Sequence, residues 1–284
     1  MTHQKIISAN DISVVIPFYQ AYDFFQAALD SVKDQTVKVS EIIVVDDECS
    51  EKAKQYLNQF DDITVIHLTQ NSGPSTARNT GAQQAKKDWI AFLDADDLWC
   101  PNKIEEQVKF LNKNTKFSAC HTGIQTFNKS GIISQYTSKP FDLELADCIE
   151  CCHITPPSLL IKKTALTEVN YFDSTMKCAE DYDLSIRLLK SHYKIGFLGQ
   201  ILVKVRRMNH GNISSNGRDF LKGHFQLLWK NWYLFSTRKG GKSIFLYKTF
   251  MTAGGKSQGI EKKLYYLIGH AISILLSKNM TLNK

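Results

Sequence analysis

The chain has 284 residues, 43% of them hydrophobic, which is enough to bury a large core and is typical of a globular protein. No run of eighteen apolar residues occurs, and the polar segment before Asp11 lacks the apolar centre of a signal peptide, so neither a membrane-spanning helix nor secretion is expected. Seven cysteines without disulfide-like spacing fit reduced thiols, and the expected location is the cytoplasm.

Charge is unevenly distributed along the chain. Residues 216–284 carry twelve Lys and Arg against two acidic residues, a net charge of +10, whereas the rest of the chain carries −3. Such a basic segment predicts an acidic partner, either an anionic membrane surface or a polyanion.

The N-terminal part alternates between short apolar segments and segments with helical spacing. The predicted strands are 12–17, 41–47, 63–68 and 89–93, and the predicted helices between them are 20–33, 51–60 and 76–85. This order, with continuously hydrophobic strands, predicts a parallel sheet covered by helices on both faces. Ligands of such sheets bind beyond the carboxyl ends of the strands.

Acidic residues gather where these strands end. Asp46 and Asp47 end the second strand, and Asp94, Asp96 and Asp97 follow the fourth. Unpaired carboxylates this close repel each other, and a divalent cation would hold them together; an acidic surface turn is the alternative. The first βα turn has no glycine and the Walker pattern is absent, which disfavours dinucleotide cofactors and P-loop hydrolysis.

The pattern changes after Pro101. The predicted helices are 102–112, 142–152 and one that follows 178–183 and runs to about His192, and the predicted strands are 117–126, 132–136, 158–161, 193–198 and 201–205. A basic turn is expected at 206–211. The basic, aromatic tail reads as three helical segments, divided at Gly240-Gly241 and Gly254-Gly255.

Two further features have alternative interpretations. Cys148, Cys151, Cys152 and His153 resemble half of a zinc site that only Cys120, His121 or Cys178 could complete, and buried free thiols are the preferred interpretation. The apolar segment 264–276 is too short to span a bilayer, so it either lies in a membrane interface or packs on the catalytic body or a second subunit.

Six segments, in order, carry a resemblance to a known family. They are 14–19 (VVIPFY), 44–50 (VVDDECS), 71–81 (NSGPSTARNTG), 92–97 (FLDADD), 155–158 (TPPS) and 180–183 (EDYD) followed by Arg187. The chain resembles the family-2 glycosyltransferases over roughly residues 12 to 215, with Glu48-Cys49 where the family usually has glycine and serine. The resemblance implies the α/β GT-A fold, Rossmann-like, with a mostly parallel central sheet flanked by helices and a helical C-terminal extension.

The resemblance also implies a domain division and residue roles. The expected catalytic domain is 1–215, with a nucleotide-sugar half at about 1–100 and an acceptor half at about 101–215, and the extension is 216–284. The expected nucleotide-sugar contacts are Pro17, Tyr19, Asp46, Asp47, Arg78, Asp94, Ala95 and His210. The metal ligand is Asp96, with Asp94 and His210 as further candidates. The general base is Asp181, at the start of a helix, and Glu180 and Pro157 lie on the acceptor side.

The implied function is inverting transfer of a hexose or N-acetylhexosamine from a nucleoside-diphosphate sugar, expected to carry UDP, with Mn²⁺ or Mg²⁺. The implied acceptor is a glycan or a lipid-linked acceptor in bacterial cell-surface polysaccharide synthesis. A nucleotidyltransferase and an inactive nucleotide-sugar binding protein are the alternatives. Other expected partners are an anionic membrane at the cytoplasmic face of the inner membrane, bound through 216–284, and a second copy of the chain; no nucleic acid is expected.

Overall fold

Four parallel strands form the N-terminal half of the sheet. They are β1 Ile12–Phe18, β2 Glu41–Asp46, β3 Thr64–His67 and β4 Trp89–Phe92, in the order β3-β2-β1-β4. The helices between them are α1 Phe25–Lys33, α2 Glu51–Leu57 and α3 Pro74–Gln84. Val14, Val15 and Ile16 are fully buried, as expected for a strand that is covered on both faces. The predicted parallel βα arrangement is therefore confirmed, with boundaries shifted by a few residues.

The second half makes the sheet a mixed one. Its strands are β5 Leu98–Trp99, β6 Ala119–Asn128, β7 Gly131–Tyr136, β8 Leu160–Lys162 and β9 Ile195–Arg206, and the order continues as β4-β8-β6-β9-β5, with β7 on β6. β8 is antiparallel to both β4 and β6, and β9 is parallel to β6. The helices of this half are α4 Lys103–Lys113, α5 Lys163–Glu168 and α6 Glu180–Lys190.

Two predictions in this half were wrong. The helix expected over 142–152 is only a 3-10 turn at Asp147–Ile149, because Asp142 instead forms an antiparallel bridge with Gly196 and the Leu143 N–H donates to the Ile195 carbonyl at 2.9 Å. The two strands expected over 193–205 are one strand, β9, because β6 pairs with both parts of it and bridges the irregularity between Leu198 and Ile201.

The basic tail is helical, as predicted. Its helices are α7 Gly217–Lys230, α8 Leu234–Thr237, α9 Gly241–Gly255 and α10 Gly259–Thr281. The breaks at both glycine pairs are confirmed, and one more break follows Lys230. None of the helices in the described part of the chain is both long enough and apolar enough to cross a membrane.

The structure is a computed structural model that describes residues 6–207 and 216–281. It divides into two compact units. The first comprises Met1–Leu143, Ile154–Ser174 and Arg187–Arg207 and contains the sheet; the second comprises Glu144–His153, Thr175–Ile186 and Met208–Lys284. The division into domains at residue 215 stays a prediction.

Candidate active site

The carboxyl ends of β1, β2 and β4 share one edge of the sheet. Phe18 pairs with Asp46, and Val15 pairs with Phe92, so the residues that follow each strand emerge on the same side. The topology of the first unit thereby brings together Pro17 and Tyr19, Asp46 and Asp47, and the 94–97 segment. Tyr19 is half exposed at this edge.

Asp46 is fully buried, and both of its carboxylate oxygens are engaged. Oδ1 accepts the backbone N–H groups of Glu48 at 3.0 Å and Cys49 at 3.2 Å, and Oδ2 lies 2.8 Å from Nδ1 of His67. Cys49 has a φ of 60°, in the left-handed region that residues other than glycine rarely adopt. Asp46 therefore holds a strained turn in place.

Asp47 is engaged in the same way. Its Oδ1 accepts the Ser72 N–H at 2.7 Å, and its Oδ2 accepts the Gly73 N–H at 2.9 Å. Burial raises the pKa of the Asp47 carboxyl, and these two hydrogen bonds oppose that shift. A nucleotide base at Asp47 would have to use the lone pairs that remain.

Arg78 reaches the 94–97 segment from α3. Its Nη2 donates to Oδ1 of Asp94 at 2.6 Å, and its guanidinium is buried. α3 approaches β1 closely because residue 81 is glycine: a Cβ there would lie 2.4 Å from Cγ1 of Val15. Gly81 is one helical turn after Arg78, so this close packing sets how far Arg78 reaches. The structure thus joins Arg78 and Asp94, which the sequence could only place on separate elements.

The other carboxylates of this segment differ from each other. Asp97 is buried, and its Oδ1 accepts the backbone N–H of Arg206 at 2.7 Å, which makes it a structural anchor for β9. Within residues 6–207 and 216–281, no other residue gives the Asp96 carboxylate a hydrogen bond or an ion pair. Burial and the Asp94 charge raise the pKa of Asp96 to about 6. Ala95, between them, is buried.

These residues suit a hard cation as part of its ligand set. Among the described residues, no three His, Cys, Asp or Glu side chains are grouped so that they could hold a metal ion by themselves. Mn²⁺ and Mg²⁺ in nucleotide sites take one or two carboxylates and fill the rest of the shell with phosphate and water oxygens. Asp96 and Asp94 fit that pattern, and a cation there would offset the cost of ionising Asp96.

The first two βα turns are tied together by Glu48, a residue that sequence reasoning recorded only as a departure from the family. Its Oε2 accepts the Tyr22 hydroxyl at 2.7 Å and the Gln20 N–H at 3.2 Å. Gln20 has a φ of 49°, so this bond supports a second strained residue, directly after Tyr19. The larger side chain thus links the turn bearing Tyr19 to the turn bearing Asp47.

A buried polar cluster that sequence reasoning missed fixes the turn at Pro157. The Trp99 Nε1–H donates to the Pro157 carbonyl at 3.0 Å, and Gln107 Nε2 donates to the Ser158 carbonyl at 3.0 Å. Lys103, fully buried one turn before Gln107, donates to its Oε1 at 2.6 Å. Because Trp99 follows the acidic segment directly, this cluster connects Asp94–Asp97 to the predicted acceptor-side turn.

Asp181 and Glu180 lie in the second unit, in the first turn of α6. The tail packs on this motif: a Cβ at Gly223 would lie 2.3 Å from the Cys178 carbonyl oxygen, and Lys230 Nζ lies 2.7 Å from Oδ1 of the buried Asp183. The segment that the resemblance left outside therefore supports the helix bearing Asp181.

The remaining predicted site residues have different outcomes. His210 lies outside the described residues. Cys148 is buried, as the preferred interpretation expects, but Cys151 is exposed and Cys152 half-buried, so the expectation of buried thiols was wrong for them. Cys151 and Cys152 follow the 3-10 turn at Asp147–Ile149.

Three comparisons with known proteins bear on this site. The family model described as glycosyl transferase family 2 matches residues 13–169. An uncharacterised glycosyltransferase of Rickettsia typhi is 31% identical over 207 residues, and the match covers 69% of this chain and 63% of that relative's length. The Escherichia coli protein WfgD, named UDP-Glc:alpha-D-GlcNAc-diphosphoundecaprenol beta-1,3-glucosyltransferase, is 28% identical over 219 residues, covering 76% of this chain and 85% of WfgD.

A solved structure gives a similar fold. The crystal structure of Staphylococcus aureus TarS 1-349 in complex with UDP-GlcNAc superposes with a TM-score of 0.69 over 91% of this chain and 79% of that one. The sequence identity is 19%, so this likeness concerns the fold alone.

Proposed function

The chain belongs to glycosyl transferase family 2 and is a glycosyltransferase with the GT-A fold, and from this premise we propose that it transfers a hexose or N-acetylhexosamine, with inversion, from a UDP-sugar to a hydroxyl of a lipid-linked glycan. UDP as the carrier is supported by the donor in the name of WfgD, and a lipid-linked acceptor by the diphosphoundecaprenol in the same name. This setting is bacterial cell-surface polysaccharide synthesis at the cytoplasmic face of a membrane.

The observation that carries the proposal is the ion pair of Arg78 with Asp94 beside Asp96, at the edge where the parallel strands end. A nucleoside diphosphate brings two phosphates to this edge. Arg78 would balance part of their charge, while Asp96 would bind Mn²⁺ or Mg²⁺ and Asp94 a bound water or the ribose. When bound, the metal ion would supply Lewis-acid stabilisation of the leaving diphosphate. His210, after Arg206 and Arg207, is proposed to lie near the same phosphates.

Around this donor, we propose, Pro17 and Tyr19 line the base pocket with Asp46 and Asp47. Asp181 acts as the general base. As the acceptor oxygen attacks the anomeric carbon, its proton passes to the Asp181 carboxylate, and the bond between that carbon and the diphosphate oxygen breaks to release UDP. Attack on the face opposite the leaving group inverts the anomeric centre. Glu180 and Pro157 are proposed to contact the acceptor.

The test begins with a panel of nucleotide sugars screened for thermal stabilisation in the presence of Mn²⁺, because a ligand of the folded state raises the melting temperature. With the donor so identified, Asp181→Asn is expected to lose about 10²- to 10⁴-fold in turnover and to keep donor binding. Asp219→Asn, the same change in the first turn of α7, is the matched control and should keep full turnover. Unchanged transfer by Asp181→Asn would remove the base assignment, and stabilisation by no nucleoside diphosphate would remove the proposed donor class.

A further inference from the structure

The tail helices expose large aromatic side chains. Trp229 is 81% exposed and Tyr233 is 87% exposed, and Phe225 and Trp232 are exposed to 43% and 46%. We call these four residues the aromatic edge. The Trp229 and Trp232 ring centroids are 6.5 Å apart, and Phe225 lies one helical turn before Trp229 on the same face of α7. Removing such rings from water against a partner would be favourable, so an exposed cluster of them indicates an interaction surface.

The segment that bears the aromatic edge is basic, and three of its cations, Lys230, Arg238 and Lys248, pair with Asp183 or Glu150 of the second unit. Residues 220–260 contain seven Lys and Arg and no Asp or Glu. Lys242 Nζ lies 3.5 Å from the centroid of the Trp232 ring, and the exposed Lys222 lies on the same face of α7 as Phe225 and Trp229. Ring and cation thus occur together on this surface.

A second apolar surface runs along α10. Ile260, Leu264, Leu267 and Ile274 are exposed, at helical spacing that places them on one face for about 20 Å. The opposite face packs closely on α9, since a Cβ at Gly254 would lie 2.9 Å from the Tyr266 ring. This exposed face of α10 is called the α10 stripe.

Ring contacts link the two surfaces within the second unit. Phe225 of α7 contacts Phe250 of α9 at 5.8 Å between centroids, and Phe250 contacts Tyr265 of α10 at 6.2 Å. At the other end, the side chain of Leu276 comes within 3.4 Å of the Cβ position of Gly240, in the loop that leads to Lys242. The aromatic edge and the α10 stripe therefore belong to one packed set of helices.

Charge decides which partner fits. In a two-fold dimer the same patch lies on both subunits, so a second copy would set this cationic surface against itself. An anionic lipid surface offers the opposite charge to the lysines, an apolar layer to Leu and Ile, and a boundary at which Trp and Tyr bury the ring and keep the polar group wet.

We propose that the aromatic edge and the α10 stripe form the docking surface for an anionic lipid membrane. The evidence for this surface comes from its exposed residues alone. Its role in catalysis rests on the proposed function, in which the acceptor is lipid-linked. Helix α10 would lie along the membrane surface, with one face in the lipid and the other on α9.

The test is flotation of the full chain with vesicles of phosphatidylcholine alone or mixed with phosphatidylglycerol. Wild-type protein should float with the mixed vesicles and much less with the neutral ones. Trp229→Ser combined with Tyr233→Ser should weaken binding by about tenfold or more, because two exposed rings no longer insert. Lys222→Glu with Lys242→Glu should weaken binding to the anionic vesicles only, and added salt should have the same effect on wild type.

The matched control is Ile132→Ser with Ile133→Ser, which removes two exposed apolar side chains of β7 in the first unit and should leave vesicle binding unchanged. Equal flotation of the wild type and the aromatic double variant would overturn the proposal. So would loss of self-association, measured by ultracentrifugation, in that variant, because the surface would then be a dimer interface.

Thermal stabilisation by UDP with Mn²⁺, measured without vesicles, separates this proposal from the proposed function. Variants with weakened vesicle binding test the surface alone if they keep the wild-type melting temperature and its rise on addition of UDP. Normal UDP binding without any flotation overturns the surface only, and normal flotation without UDP binding overturns the donor proposal only.

Discussion

Two acidic pairs stand at one edge of the sheet, at the ends of the strands on either side of β1, and the fold uses them differently. Asp46 and Asp47, after β2, are buried, and all four of their oxygens have partners within the protein. Asp94 and Asp96, after β4, are only partly buried; Asp94 pairs with Arg78, whereas among the described residues the Asp96 carboxylate has no hydrogen-bond or ion-pair partner, although its backbone carbonyl accepts from Arg206 Nε at 2.9 Å.

The difference shows that carboxylates at the same edge are not equivalent as ligands. A carboxylate whose oxygens already accept backbone N–H groups stabilises its turn and has little capacity left. A half-buried carboxylate beside another negative charge is stabilised in its ionised form by an added cation. The β2 pair therefore holds its turns in place, and the β4 pair is the one with capacity left for a cation.

Among the variants that test this comparison, the largest effect is expected at the β4 pair. Asp96→Asn should lower turnover by about 10²- to 10³-fold, because the leaving diphosphate loses its electrostatic support. The melting temperature should stay the same or rise, since burial already disfavours the ionised Asp96 carboxyl. Turnover with and without Mn²⁺, together with a melting curve, measures both. Asp62→Asn, which removes an exposed charge paired with Lys33, is the control. Full Mn²⁺-dependent turnover in Asp96→Asn would place the ligand elsewhere.

A smaller effect, on stability, tests the β2 pair. Asp46→Ala should lower the free energy of unfolding by roughly 2–4 kcal/mol, because the N–H groups of Glu48 and Cys49 and the ring of His67 lose their acceptor. Asp46→Asn keeps one acceptor oxygen for the two N–H groups and should lose less. Urea unfolding compares the three proteins. Equal stability of Asp46→Ala and wild type would mean that the two acidic pairs do not differ as described.

The third effect, which is the smallest when it is expressed per pH unit, concerns a buried amine whose contacts are neutral. Lys103 donates to Gln107 and lies 4.0 Å from the Trp99 ring centroid, and burial lowers its pKa from 10.5 to about 7. Between these values the unfolded chain binds a proton that the folded chain does not, so stability rises with pH, by at most about 1.4 kcal/mol per pH unit. The nearby Cys120 thiol, with a pKa raised by burial to about 12, stays neutral over most of this range.

Lys103→Met should remove that rise and be more stable than wild type near neutral pH, since no buried cation has to be desolvated. Urea unfolding at several pH values between neutral and mildly alkaline measures the slope for both proteins. Identical slopes would show that Lys103 stays charged in the folded protein. Burial without a charged partner would then not be what decides the protonation of Lys103.

The N-terminal half of the fold could be predicted because its signals are local. Runs such as Val14–Ile16 are buried on both faces, and short links between strands and helices leave a parallel sheet as the simple arrangement. The same reasoning placed the acidic residues at one edge. Prediction failed where pairing with a segment distant in sequence determines the local structure. Asp142 forms a bridge with Gly196 instead of starting a helix, and pairing with β6 joins two expected strands into the single strand β9.

Sequence alone determined which residues stand at the carboxyl edge, that the tail is basic and helical, and where its glycines interrupt it. Only the tertiary structure decided which carboxylates are already bonded, that Trp99 and Gln107 hold the turn at Pro157, and that tail residues Gly223 and Lys230 support the helix bearing Asp181. The physical reason is range. Periodicity and turn chemistry act over a few residues, whereas burial and hydrogen bonding are settled between segments far apart in the chain, whose side chains meet only once the core is packed.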